Sequence, residues 1–269
     1  MKKLVNFVAI FLTVFSVQSC NYLDSVGFGN PGQPIKQVND NLIFSKDNFI
    51  EKVDHTQWDR LLKKYVSKEG LVNYKGFLKD RKALNNYLQM LAENPPSENW
   101  SVQELLAYYI NLYNAATVNL ILDNYPLKSI KDINGPWRKK IVPIGNDQLS
   151  LGEIEHSILR KMNEPRIHFA INCASFSCPN LLNEAFTASK IEAQLERATK
   201  TFINSDKNEL SKNQVKFSAI FDWFKKDFKL NGKVNVIGYI NQYSSTKINL
   251  DAKINYKDYD WNLNEALND

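Results

Sequence analysis

The chain has 269 residues, of which 43% are hydrophobic and 12% aromatic, enough to bury a substantial core in one domain. Its net charge of +5 is mild and no block of lysine and arginine occurs, which argues against a nucleic-acid-binding protein. Three histidines and three cysteines without metal-ligand spacing argue against a structural zinc site. We predict neither a metal nor a cofactor.

The first 19 residues have the pattern of a bacterial signal peptide. Two lysines precede an apolar run over residues 4–17, which is shorter than the roughly 20 residues of a spanning helix. Cys20 follows a small residue and would supply the thiol for lipid attachment. We therefore predict an exported lipoprotein, anchored by its lipid to a membrane of the cell envelope (outer membrane or periplasmic face). The alternatives are an incidental cysteine after an ordinary signal peptide and an uncleaved anchor.

Removal of residues 1–19 leaves 32 basic and 29 acidic residues, a net charge of +3. We assign residues 20–45 to the lipidated N-terminus and a tether that contains glycine and proline. A single domain is predicted over residues 46–264, followed by a tail over residues 265–269. Helical periodicity begins near Asp54, at the start of this domain.

A central helix is predicted from a capping box at Ser101 and Glu104 to about Asp123. Apolar and aromatic residues cover most of its circumference, which is typical of a buried helix. Asn111 and Asn114 lie on a shared stripe of this helix. Buried amides require hydrogen-bond partners, so these two residues belong either to a structural network or to a ligand site.

A second capping box, Ser150 and Glu153, predicts a further helix to about Met162. At about 100° per residue, Glu155 falls inside the apolar arc of this helix, and His156 lies beside that arc. A carboxylate in such a position must find a partner or be neutral. We therefore predict that Glu155 is buried and hydrogen-bonded or ion-paired.

The remaining pattern mixes short helices and strands. Residues 141–149 predict a hairpin, and the alternation over residues 166–172 predicts a strand. Residues 191–203 and the aromatic segment 215–228 are interpreted as helical. Because strict βαβ alternation is absent, we predict an α+β domain, mostly helical, with the central buried helix packed on a small, largely antiparallel sheet.

Cys173 and Cys178 are the two cysteines of the predicted domain. In an exported protein a disulfide between them is the default expectation. Along a straight strand, however, their Cα atoms would lie about 16 Å apart, too far for a bridge. A disulfide would therefore need a turn through residues 174–177.

Several segments carry recognisable motifs: Trp58 with Gly70-Leu71-Val72-Asn73-Tyr74, residues 107–115, Ser150-Leu151 with Glu155-His156 and Arg160, residues 165–169, residues 173–179 and residues 259–264. Together they resemble the family called domain of unknown function 547. The resemblance covers about residues 46–264 and implies one domain, in a group often exported in bacteria, without an established activity. Tyr109 stands where the family pattern has tryptophan, and Phe224 where it has tyrosine.

One functional hypothesis is thiol chemistry on an amide or acyl bond in a protein, peptide or cell-wall substrate, by analogy with papain- or transglutaminase-like enzymes. Backbone N–H groups at the turn after Cys173 would serve an oxyanion. We predict a reduced, reactive Cys173 that contacts an imidazole, with His168 preferred over His156. The candidate nucleophile is Cys173, and the candidate bases are His168 and His156. Glu155, Asn111 and Asn114 are the candidates for the group that orients the imidazole.

The rival hypothesis is a non-catalytic envelope module that binds or scaffolds a partner. In that interpretation Glu155, His168 and Arg166 form a buried structural network. On a continuous strand His168 and Cys173 would point to opposite faces, and Cys173 would occupy an inert core position. A redox role is the least favoured, because the two cysteines lack the two-residue separation of thioredoxin-like sites.

Overall fold

A computed structural model of the protein describes residues 31–39, Leu42 and residues 51–266. The predicted signal peptide, Cys20 and most of the tether lie outside these described residues. The α+β class, the single domain and the central buried helix are confirmed.

The helices surround one long member that forms the core. The α-helices are α1 (Thr56–Tyr65), α2 (Tyr74–Phe77), α3 (Arg81–Glu93), α4 (Val102–Asn124), α5 (Ile191–Ile203), α6 (Ile220–Trp223) and α7 (Val236–Ile240). Helix α4 starts at the predicted capping box, in which Ser101 accepts from the Glu104 N–H and Glu104 accepts from the Ser101 N–H. It is the one described helix long and apolar enough to span a membrane, but 94% of its most apolar window is buried inside the domain.

The strands are short and form three separate sheets in the described part of the chain. They are β1 (Val142–Ile144), β2 (Asp147–Leu149), β3 (Glu209–Leu210), β4 (Gln214–Phe217), β5 (Lys229–Leu230), β6 (Lys233–Val234) and β7 (Lys253–Tyr256). The predicted hairpin is the antiparallel pair β1–β2. Strand β4 pairs with β3 antiparallel and with β7 parallel, and β5 pairs with β6 antiparallel. The segment interpreted as helical over residues 215–228 therefore contains a strand followed by the short helix α6.

The helix after Ser150 departs from α-helical geometry. Its capping box is formed as predicted, but residues Glu153–Ile158 make a π-helix and Leu159–Met162 a 3-10 helix. Glu155 is buried within it, as its position in the apolar arc predicts. Single π turns inside helices are frequent at functional sites, because the extra residue per turn displaces the side chains from regular spacing.

The predicted strand over residues 166–172 is wrong. Pro165–Phe169 form a 3-10 helix, with proline in its first turn and the Glu164 side chain accepting from the Arg166 N–H. Proline is tolerated at the start of a helix because its missing N–H is not needed there. Arg166, Ile167, His168 and Phe169 are all buried, so alternation of apolar residues carried no information about which face was inside. The objection that His168 and Cys173 face opposite ways therefore no longer holds.

Candidate functional site

A small pocket, about 80 Å³ in volume, lies where two hydrophobic clusters meet. One cluster is built around α4, and the other contains α6, α7 and β4. The pocket brings together four of the six residues predicted from the sequence, while aromatic side chains provide much of the remaining wall. The four are Cys173, His168, His156 and Glu155.

Cys173 lies at the start of a tight turn that is held from several sides. Ala174 has a φ of 61°, a left-handed conformation that is unfavourable for a residue with a side chain. The Ala174 N–H donates to Asn172 Oδ1 (2.8 Å), and the Ala174 carbonyl accepts from the Asn264 N–H (3.1 Å). Surrounding bonds of this kind are needed to maintain a strained residue. The turn thereby leaves Cys173 half-buried at the pocket.

Cys173 and Cys178 are both free thiols, so the disulfide expected by default is not formed. The Cys173 backbone N–H donates to Cys178 Sγ over 2.9 Å. Burial raises the pKa of the Cys178 thiol well above its ordinary value. Cys178 therefore keeps its proton, and its thiol is a donor that faces the Ile171 carbonyl (4.0 Å) and the Cys173 sulfur.

Hydroxyl groups complete the surroundings of the Cys173 sulfur. Its Sγ lies 3.0 Å from Ser175 Oγ and 3.3 Å from Tyr259 Oη. Ser175 Oγ donates to Tyr259 Oη (2.9 Å), which leaves the Tyr259 hydroxyl hydrogen for the sulfur. Hydrogen bonds with Cys178, and then with Ser175 and Tyr259, outweigh the opposing effect of burial and lower the pKa of the Cys173 thiol. Donors lower a thiol pKa because they stabilise the thiolate. The hydrogen-bond partners of the Cys173 sulfur are therefore hydroxyl and thiol groups, and not the predicted imidazole.

His168 is held by a carboxylate that is distant in the sequence. Its Nε2 lies 2.8 Å from Asp227 Oδ2, and its ring stacks on Phe224 with the centroids 4.1 Å apart. Arg160 donates to both Asp227 oxygens, through Nε (2.7 Å) and Nη2 (3.0 Å). Burial raises the pKa of Asp227, but hydrogen bonds from His168 and Arg160 outweigh burial and hold that pKa well below its usual range. Asp227 is therefore an ionised acceptor.

These contacts fix different tautomers for the two pocket histidines. An ionised Asp227 only accepts, so Nε2 of His168 carries a proton and Nδ1 of the neutral ring bears the lone pair. In His156 the Nδ1 atom lies 3.2 Å from Arg160 Nη1, which only donates. Nδ1 of His156 is therefore an acceptor, and its Nε2 carries the proton in the neutral ring.

Glu155 receives a hydrogen bond from Tyr113. The Tyr113 Oη lies 3.4 Å from Glu155 Oε2. Burial, followed by the negative charge of Glu155, raises the pKa of Tyr113 well above its ordinary value, so the phenol stays protonated and donates. The expectation that Glu155 is buried and has a hydrogen-bond donor agrees with this arrangement.

Asn111 and Asn114 form structural hydrogen bonds with the backbone. Asn111 bonds both the carbonyl (2.7 Å) and the N–H (3.0 Å) of Phe186. Asn114 donates to the Ala170 carbonyl (2.9 Å) and accepts from the Asn172 N–H (2.8 Å). Asn114 therefore positions the segment that precedes Cys173, and these amides are committed to backbone groups instead of orienting an imidazole.

Replacing Asn114 by alanine is expected to lower the free energy of unfolding by about 3 kcal/mol, because a buried carbonyl and a buried N–H lose their partner. Urea denaturation of the two proteins measures this difference. Asn119→Ala, on the same helix but half-buried, is the matched control and should change stability by less than about 1 kcal/mol. Equal stability of Asn114→Ala and the parent protein would refute the structural role of this amide.

Backbone N–H groups at the turn are less available than the sequence suggested. The N–H groups of Cys173 and Ala174 are bonded as described above, and that of Phe176 donates to the Asn262 carbonyl (2.7 Å). The Ser177 N–H donates to the Asp260 carbonyl over 3.1 Å. The Ser175 N–H is directed instead at the Cys173 thiol. An oxyanion would therefore take its hydrogen bonds from this N–H or from side chains, or displace one of the other contacts.

Three residues of this site escaped the sequence analysis as functional candidates: Ser175, Tyr259 and Asp227. Ser175 and Tyr259 belong to quoted motifs, and a polar or aromatic residue within such a motif is the signal that would have found them. Asp227 has no local signal, since it lies 59 positions from His168. Within the described residues, no group of three histidine, cysteine or acidic side chains is arranged to hold a metal ion.

Comparison with known proteins gives one match. Residues 97–203 match the model of the family described as "Protein of unknown function, DUF547". This segment contains α4, the turn at Cys173 and helix α5, whereas Asp227 and Tyr259 lie beyond it. No curated protein and no solved structure gives a significant match. Residues 97–203 of the chain are therefore similar to the DUF547 family.

Proposed function

We propose that this domain is a cysteine-dependent hydrolase or acyl-transferase that acts on an amide or acyl bond, with Cys173 as its nucleophile. The observation that carries the proposal is the placement of Cys173, with a thiol pKa lowered by its donors, in the same pocket as His168. A nucleophile, a base and a group that orients the base are the parts that such chemistry needs. Asp227, which is bonded to Nε2 of His168, is the group that orients the base.

The tautomers favour His168 over His156 as the base. His168 donates from Nε2 to Asp227, which leaves Nδ1 as the atom able to accept a proton. His156 uses Nδ1 to accept from Arg160, so its other nitrogen is a donor. Asp227 also stabilises the imidazolium that His168 becomes after taking a proton.

The proposed reaction has two stages. In the first, the sulfur of Cys173 forms a bond to the acyl carbon while its proton moves to Nδ1 of His168. The bond from the acyl carbon to nitrogen or oxygen then breaks, and the leaving group takes that proton. In the second stage, water or another acceptor attacks the thioester and passes its proton to Nδ1. The carbon–sulfur bond breaks and the proton returns to sulfur.

Trapping the acyl intermediate tests this proposal. The domain is mixed with p-nitrophenyl acetate, p-nitrophenolate release is followed, and mass spectrometry locates the acetyl group. We expect an acetyl thioester on Cys173, its absence in Cys173→Ser, and its persistence in the control Ser177→Ala from the same turn. Acetylation confined to lysines, or equal p-nitrophenolate release by Cys173→Ser, would contradict the proposal.

A binding or scaffolding module is the second candidate. Several backbone N–H groups around Cys173 already donate to other protein groups. This favours a binding module, because an acyl-transfer site usually presents such donors to an oxyanion. In that function the strained turn and its bonds serve to shape the pocket for a ligand. Failure to trap an acyl group in a folded protein would select this candidate.

The proposed setting is the bacterial cell envelope, with the protein exported and held at a membrane by lipid on Cys20. The support is the apolar run that ends at a cysteine. Cys20→Ser is expected to abolish incorporation of labelled palmitate in cells, whereas Cys178→Ser should label like the parent protein. Normal labelling of Cys20→Ser would overturn the proposed anchor.

A further inference from the structure

We infer that the pocket recognises a ligand bearing an aliphatic ammonium group, through the carboxylate of Glu155. Glu155 lines the pocket and is only 8% exposed. Its hydrogen bond from Tyr113 measures 3.4 Å, which is long for a hydroxyl donor and a carboxylate. Among the described residues this is the one hydrogen bond to the carboxylate, so most of its accepting capacity is unused.

Two cations, Arg160 and Lys140, are committed to other carboxylates. Arg160 is paired with Asp227 through two bonds, and Lys140 is paired with Glu153. No ion pair to Glu155 is formed by the residues that the structure describes. A buried charge without a partner is costly, so a cation from the ligand would relieve this cost.

The aromatic wall reinforces the same preference. The rings of Trp137 and Trp261 meet edge to face with centroids 5.8 Å apart, and Trp223 stacks on Trp261 at 5.9 Å. Tryptophan faces attract ammonium groups through their ring quadrupole. Trp261 already has the Lys131 Nζ 5.2 Å from its ring centroid, which indicates that a cation is accommodated at this ring.

Carboxylate and aromatic rings together select the chemistry of the ligand. An ammonium at the end of an aliphatic chain, as in lysine or a diamino acid, can pair with Glu155 while its methylene groups contact the rings. A carboxylate at that position would be repelled by Glu155. The identification of this ligand as the substrate rests on the proposed function, whereas the binding preference does not.

The test is a titration of the Cys173→Ser protein, which cannot form a thioester. n-Butylammonium chloride and n-butanol are added at constant ionic strength, and binding is followed by the emission of the pocket tryptophans. We expect saturable binding of the ammonium, at least about tenfold weaker binding of the alcohol, and a similar loss in Glu155→Gln. Glu93→Gln removes an equal charge from an exposed site on α3 and should bind like the parent.

Equal binding of ammonium and alcohol, unchanged binding in Glu155→Gln, or no saturable binding at all would overturn the inference. Circular dichroism of Glu155→Gln establishes that the loss is not unfolding, and Tyr113→Phe should weaken binding far less because it leaves the carboxylate in place. Acetylation of Cys173 in the unmodified protein is measured separately. Ammonium selectivity without acetylation would overturn the proposed function alone, and acetylation without selectivity would overturn this inference alone.

Discussion

Replacing Asp227 by asparagine is expected to slow acyl transfer to Cys173 by about 1000-fold, by analogy with the loss of the aspartate in other triads. Asp227 Oδ2 accepts from both His168 Nε2 and Arg160 Nε, and Oδ1 accepts from Arg160 Nη2. In the amide one of these acceptors becomes an NH₂ group that faces a guanidinium N–H, so the two-bond contact with Arg160 is lost. The neutral amide also no longer stabilises the imidazolium that His168 becomes when it takes the proton of Cys173.

The rate of Cys173 acetylation under single-turnover conditions measures this effect, and nitrogen NMR of His168 reports the tautomer. Asp222→Asn is the control, since Asp222 is exposed on α6 in the same part of the chain. Its rate should stay within about twofold of the parent. An Asp227→Asn protein that is folded and acetylated at the parental rate would show that His168 does not depend on this carboxylate.

Replacing Arg166 by methionine is expected to lower the free energy of unfolding by about 4 kcal/mol. Arg166 is 11% exposed and pairs with Glu164 (Nη2 to Oε2, 2.7 Å) and Glu192 (Nη1 to Oε1, 2.7 Å). The substitution leaves Glu164, which is almost fully buried, without its cation. Removing one partner of a buried pair is costly because the remaining charge stays desolvated.

Urea denaturation measures this loss, and Arg81→Met is its control. Arg81 pairs with Asp123 at the surface, and such pairs contribute at most about 1 kcal/mol. Below its transition, the Arg166→Met protein should still acetylate Cys173, since Arg166 is bonded to glutamates instead of His168 or Glu155. A stability loss below about 1 kcal/mol would refute the structural role of Arg166.

The sequence predicted those features that depend on local spacing. Both capping boxes join residues three positions apart, and the apolar circumference of α4 is a property of one segment. The burial of Glu155 followed from the arc of its own helix, even though that helix is of the π type. Local hydrogen bonds and periodicity carry such information within a few residues.

Features that depend on tertiary contacts could not be predicted in the same way. Alternation of polar and apolar residues over residues 166–172 suggested a strand with one buried and one exposed face. Residues 166–169 are all buried, however, so the alternation did not correspond to two different faces. The partners of the Cys173 sulfur include Tyr259, which lies 86 positions away. His168 was selected for its proximity in the chain, yet its role in the proposal depends on Asp227, which only the folded structure brings to it.

Cys173 is expected to be an activated thiol, and its alkylation rate as a function of pH measures this activation. Iodoacetamide is applied to the folded domain, and mass spectrometry separates Cys173 from Cys178. Cys173 should reach half of its maximal rate well below the pH of about 8.5 typical of a free cysteine. Tyr259→Phe removes a donor to the thiolate and should shift this midpoint upward. An ordinary midpoint, alkylation only after denaturation, or a disulfide between Cys173 and Cys178 would contradict the account.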